Sequence, residues 1–245
     1  MGKGISGHLG RHMLVTASSL RYTPSTLSLI AILANVRDDD DFAKMRTLLR
    51  DAEAHLKRLV QTENDPDIFT VQGLLLLRET PTGTSALRAF DKAIEAARNL
   101  PSNTTSQPAS GDSTAREPRW FYEPACHHNR GLILLQRNRI DEALASFEIA
   151  ALELDYVASY LELAKLLPRD APERETCLLK AAQAGNFEAC GLYALHWADR
   201  AADRALPKED RVYASTMAWE WAAVEIDPVK RAALELEVGQ KLSGI

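Results

Sequence analysis

The sequence predicts an all-α protein, a stack of antiparallel helix pairs, and three observations carry that expectation. Apolar residues make up 46% of the 245-residue chain, ample for a core, while Gly (12) and Pro (11) are modest and Ala and Leu dominate. No Val/Ile/Thr-rich alternating run bounded by Asn-Gly or Asp-Gly turns is present, so strand signals are nearly absent. Short segments also match one another inside the chain, as stacked units of one kind would.

Helices are expected at 6–19, 24–36, 39–62, 66–79 and 84–98, and again at 120–136, 140–153, 155–167, 171–184, 186–203, 208–225 and 228–242. Three of their starts are marked by proline. Thr23-Pro24, Asp65-Pro66 and Asp227-Pro228 each place a capping side chain before a residue suited to the first helical turn. The run Asp38-Asp39-Asp40-Asp41 puts negative charge at the start of the third segment, where the helix dipole favours it. As a metal cluster that run is poor, because adjacent side chains on a helix point apart.

Between the fifth and sixth segments lies Pro101 to Pro118, "PSNTTSQPASGDSTAREP", rich in Ser, Thr and Pro and almost without apolar residues. It is expected to be a mobile loop separating an N-terminal helical block (1–100) from a C-terminal one (119–245). The sequon Asn103-Thr104-Thr105 within it is set aside on compartment grounds. Cys126, Cys177 and Cys190 are odd in number and widely spaced, with no CxxC pair, which suits a reducing, intracellular compartment.

Charge narrows the partners. The net charge is −5, yet residues 1–37 hold Lys3, Arg11, Arg21 and Arg37 and no acid. Taking those four positive charges from the total leaves −9 on residues 38–245, which weighs against a nucleic-acid surface there. A basic, acid-free, Ser-containing start has the composition of a mitochondrial transit peptide; a folded helix pair is the other reading, and Thr23-Pro24 favours it. The longest apolar run, Leu27–Val36, is far too short to span a bilayer.

Self-comparison then shows the unit. "ALRAFDKA" (86–93) aligns with "ALASFEIA" (143–150), so Ala86, Phe90 and Ala93 match Ala143, Phe147 and Ala150 at a spacing that shares one helix face. Gly131, in "NRGLILLQRNRIDEA", precedes the second copy; Gly73, in "VQGLLLLRETPTGTSA", precedes the first with a turn one residue longer. With Leu134, this set resembles the signature of the tetratricopeptide repeat, although His127 stands where its first aromatic would be. "LKAAQAGNFEACGLYALHWA" (179–198) is similar to the related SEL-like repeat through Lys180, Ala181, Ala182, Gly185, Asn186 and Ala189. Tyr193, Ala194 and Trp197 keep size or aromatic character rather than identity there, and Trp197 is expected to wedge between helices. "AALELDYVA" (150–158) echoes "AAQAGNFEA" at an offset of 31. The resemblance implies a right-handed α-solenoid whose first helices line a binding surface.

Side chains capable of chemistry concentrate in "EPACHHNRG" (123–131). Three consecutive ligands diverge by about 100° each on a helix and cannot converge on one ion, so no metal is expected at Cys126, His127 and His128. Cys126 beside a histidine would make a nucleophile only with a glycine-rich oxyanion loop, and none accompanies it. A strongly depressed thiol pKa would revive that idea. "GKGISG" (2–7) lacks the spacing and preceding strand of a phosphate loop, and no other cofactor motif is present. Some members of the resembled family hold a peptide carboxylate with Asn and basic residues on the groove. Asn129 stands at such a position with His128 beside it, and these two are the expected groove-facing residues. The sequence thus points to a non-catalytic protein-interaction scaffold or adaptor in a larger complex. An RNA-associated helical-repeat protein, such as one on the mitochondrial ribosome, is the alternative.

Overall fold

The computed structural model describes residues 13–36, 43, 45–47, 49–79, 83–98, 100 and 115–243, and every regular element among them is helical. By internal contacts the chain forms two compact units, Met1–Leu154 and Asp155–Ile245. The boundary between these units lies at Leu154–Asp155. Residues 101–114 of the Ser/Thr/Pro stretch, and the Asp38–Asp41 run, lie outside the described residues.

In the first unit, after helical residues 13–19, come α1 (Thr23–Ala34), α2 (Arg50–Thr62), α3 (Pro66–Glu79), α4 (Thr84–Ala97), α5 (Glu123–Gln136) and α6 (Ile140–Glu148), which runs into a π turn over Ile149–Glu153. Each helix packs on its sequence neighbour or next neighbour: α1 on α2 and α3, α3 on α4 and α5, α4 on α5, α5 on α6. Apolar periodicity explains the faces. On α2, Ala52, Leu56 and Leu59 are buried at i, i+4 and i+7 and meet Leu27, Ile30, Leu33, Ile68 and Val71 in one cluster. The alanine and phenylalanine rows behave likewise, with Ala86, Phe90, Ala93, Ala143, Phe147 and Ala150 all fully buried.

The second unit holds α7 (Val157–Leu166), α8 (Pro172–Gln183), α9 (Phe187–Ala202), α10 (Lys208–Ala222) and α11 (Pro228–Leu242). Helix α8 packs on α7 and α9, and α9, α10 and α11 pack on one another. At the α8–α9 corner, Gly185 takes φ +85° and closes α8, the Asn186 amide hydrogen bonding back to the Ala181 carbonyl at 3.2 Å. Asn186 then caps α9 by accepting from the Ala189 amide at 3.1 Å.

Three expectations move by a residue or more. Thr23 is not a cap but the first residue of α1 after Tyr22, because the preceding turn is closed by Arg21 at φ 63°. Residues 120–122 form a turn ahead of α5, since the Phe121 and Tyr122 amides donate to the Asp67 carboxylate at 3.3 and 2.8 Å instead of continuing a helix. The offset of 31 between the two alanine-rich corners holds for Ala150/Ala181 but becomes 30 at the helix starts Val157 and Phe187. The π turn, with Leu154 N–H bonded to the Ile149 carbonyl at 3.1 Å, absorbs the extra residue. By contrast, Asp65 and Asp227 meet the next amides at 2.7 and 2.9 Å, as their Asp-Pro starts require.

Candidate functional site

Helix α5 carries the Cys-His-His-Asn run and buries most of it. Cys126 is fully buried, its thiol 3.7 Å from the Phe90 carbonyl, and burial pushes its pKa up to about 12. That is the opposite of an activated nucleophile. His127 is buried beside the Trp120 ring at 6.2 Å, and burial lowers its pKa to about 4. Its Nδ1 finds no hydrogen-bond partner. His128 is half-buried with its ring 6.0 Å from that of Phe147, and burial holds it near pKa 4 as well. Asn129 is half-buried and donates to the Ala125 carbonyl of its own helix at 2.8 Å. Among the described residues no three metal-capable side chains converge. The run packs α5 rather than presenting a reactive constellation.

The start of α5 holds an ionic arrangement that the sequence does not announce. Glu123 is fully buried, and both its oxygens accept from Arg116, at 2.9 and 3.0 Å, while the Arg119 amide donates at 2.6 Å. Burial alone would raise the carboxyl; the Arg116 and Arg119 hydrogen bonds overcome it and hold the group below the usual carboxylate range. Arg116 also bonds Glu153 at 2.9 Å, so it ties the approach segment to the end of the π turn. Arg130 makes the comparable link two turns on, donating to Asp91 of α4 at 2.8 Å and to Ser146 of α6 at 2.6 Å. An acidic residue before Pro124 hints at a helix start, but a partner seven residues upstream across a turn has no periodic signal.

In the second unit the surface is of a different character. Trp197, 8% exposed, packs against Tyr193 at 6.0 Å and against Tyr213 of α10 at 5.7 Å, which is the wedge its spacing predicts. Arg200 lies over its ring at 5.3 Å. His196 Nε2 stands 3.4 Å from Glu175 without hydrogen-bond geometry. Beyond this cluster, an open cleft of about 470 Å³ lies where α9 begins and the α10–α11 connection passes. Phe187 and Ile226 supply its apolar lining and are 40% and 69% exposed; Glu188, Glu225, Asp227 and Lys230 complete it. The acids are already oriented. Glu188 pairs with Lys165 at 2.9 Å, and Glu225 accepts the Asp227 amide at 3.0 Å.

What this architecture defines is an all-helical protein of neighbouring packed pairs with apolar side chains displayed at helix ends. No helix among the described residues is long and apolar enough to cross a membrane. Compared with protein-family models, curated proteins and solved structures, the chain matches none.

Proposed function

We propose that this chain is a non-catalytic interaction protein of tetratricopeptide- and SEL-like helix pairs, a scaffold or adaptor held in a larger assembly by protein contacts. The cleft at Phe187 and Ile226 carries the reading. Large apolar side chains are displayed beside fixed acidic groups, which is the layout of a binding surface with an apolar anchor point and a polar rim. The burial of Cys126 and His127 supports the same reading from the other side, because the side chains most capable of chemistry are withdrawn from solvent.

The test is affinity purification of tagged parent and of a Phe187→Asp/Ile226→Asp variant, with and without nuclease, followed by reconstitution from purified partners. A stoichiometric, nuclease-resistant set of proteins that the variant loses is the expected result. Partners lost on nuclease treatment would move the assignment to a ribonucleoprotein, and a parent that binds nothing would overturn it. Fractionation of the same tagged protein places it in mitochondria, the proposal that follows from its basic, acid-free start, or in the cytosol.

A further inference from the structure

We infer that this protein pairs with a second copy of itself through the outward face of α11, the two helices lying antiparallel about a two-fold axis between Ala232 and Ala233. The inference does not rest on the cleft reading above, although Lys230 borders both surfaces.

Helix α11 uses only one side for its own unit. Val238 is buried, Leu234 lies 3.6 Å from where a Cβ on Gly191 would stand, and Arg231 donates to the Glu225 carbonyl at 2.6 Å. Lys241 pairs with Asp199 on the same side. At 100° per residue the opposite side carries Val229, Ala232, Ala233, Leu236 and Gln240. Val229 is 77% and Leu236 64% exposed, both alanines are exposed, and no charged residue interrupts the stripe. Trp219 of α10 borders it, 3.7 Å from where a Cβ on Gly239 would stand.

Three features of the stripe fit a copy of itself. Rotation about an axis between Ala232 and Ala233 sets Val229 opposite Leu236 of the other copy and Leu236 opposite Val229, so the large side chains meet in both halves. It sets alanine against alanine at the centre, where small side chains let helix axes approach closely. Lys230 and Glu237 share one edge of the helix, and the rotation brings each Lys230 within a turn of the other copy's Glu237. Neither has an ion pair among the described residues, so both are available, and the contact is isologous as two-fold pairing requires. Three turns of one helix, with Trp219 beside them, cover less than the roughly 800 Å² per partner of a standard interface, so the pair is expected to be weak and concentration-dependent.

Sedimentation equilibrium of the full chain across the micromolar range tests this. The expected result is a rise in mass from monomer to dimer with concentration, abolished in Leu236→Glu and weakened about tenfold in Glu237→Lys by like-charge contact with Lys230. The double variant Lys230→Glu/Glu237→Lys should recover dimerisation, which a merely structural role for these residues would not produce. Circular dichroism and urea midpoints check that each variant remains folded, as its exposed position requires. A parent whose mass stays monomeric throughout would overturn the proposal. So would a dimer insensitive to Leu236→Glu in folded protein, or one the charge exchange fails to restore.

Discussion

The ring of Phe90 lies so close to Gly73 that a Cβ on the glycine would stand 2.5 Å from Phe90 Cε1, and Phe147 repeats the relationship at Gly131 with 2.7 Å. Both rings are fully buried and cannot swing into solvent. Two helix pairs, α3–α4 and α5–α6, thus close by the same device: a missing side chain on the first helix receives an aromatic ring from the second. Gly73→Ala or Gly131→Ala gains about 1 kcal/mol of helix propensity. It also forces a buried ring or a backbone to shift, at about 1–3 kcal/mol. The net expectation is a loss centred on about 1 kcal/mol and at most about 2, read as a lower urea midpoint at unchanged slope. Adding Phe147→Leu to Gly131→Ala should recover part of it; a strictly additive double variant would show that the two positions are not coupled.

Arg116 and Glu123 form a two-pronged ionic contact in the first unit, and they are unequal. Glu123 is fully buried, whereas the Arg116 side chain is 36% exposed. Removing the arginine leaves a buried carboxylate with only Arg119 near it. Arg116→Met should therefore destabilise by about 2 kcal/mol, below the usual value for a buried pair because water reaches the vacated side. The pair's pH dependence follows from the direction of the shift. Glu123 is held below its ordinary value of 4.5, so its contribution is complete above that pH and is lost as pH falls through the folded value. The stability gap between parent and Arg116→Met should accordingly be constant near neutrality and narrow as pH falls through the variant's Glu123 value, which burial raises once Arg116 is gone, toward the parent's lowered one; a gap that widens in acid would contradict the assignment.

Local rules made much of this architecture readable. Helix positions followed from apolar spacing and Asp-Pro starts, and the buried Ala/Phe/Ala faces followed from two aligned segments, because each signal resides within a few residues. The contacts that escaped are those between segments distant in sequence or off the helical period. Asp67 diverts the amides of Phe121 and Tyr122 from 54 and 55 residues away, so the α5 start could not be placed from local pattern. The π turn shifts one repeat by a residue, which an ungapped comparison of 150–158 with 181–189 cannot express. His128 and Asn129, expected on an open groove, are half-buried; a helix position gives direction, but the depth of the neighbouring Phe147 ring decides exposure.

The Gly185-Asn186 corner combines two requirements that substitution can separate. Gly185 holds φ +85° with no atom within 4 Å of an added Cβ, so Gly185→Ala meets backbone strain alone, about 1–2 kcal/mol. Gly185→Asn should cost less, since asparagine tolerates left-handed geometry better. Asn186→Ala removes the acceptor for the Ala189 amide and should cost about 1 kcal/mol, with Asn186→Asp close to neutral. Thermal or urea unfolding of the four variants gives the ranking, and an alanine at 185 as benign as asparagine would refute the strain argument.

All three thiols are buried, and burial raises Cys126 to about 12, Cys177 to about 11, and Cys190 above its ordinary value. Because the thiolate is the reactive species, native protein at neutral pH should take up aromatic disulfide reagents at the rate of global or local opening rather than at that of a free thiol. All three should react at once in denaturant. Rapid modification of Cys126 in folded protein, located by mass spectrometry, would reopen the nucleophile reading.

His127 and His128 give the fold its own acid sensitivity. Burial keeps both rings neutral, with pKa values of about 4 against an ordinary 6.5. Between those two pH values the unfolded chain binds protons that the folded chain does not, so stability from this source is complete above pH 6.5 and falls as pH drops toward 4. Each ring costs at most about 3 kcal/mol at the acid end and contributes a slope of about 1.4 kcal/mol per pH unit within the window. His127→Phe removes one of the two protons and also the Nδ1 that has no hydrogen-bond partner among the described residues. The variant should match or exceed the parent at pH 7 and lose stability less steeply between pH 6.5 and 4, by up to about 1.4 kcal/mol per pH unit, measured by urea unfolding at fixed pH. An unchanged slope would mean that His127 is already protonated in the fold, and its neutral burial beside Trp120 would have to be abandoned.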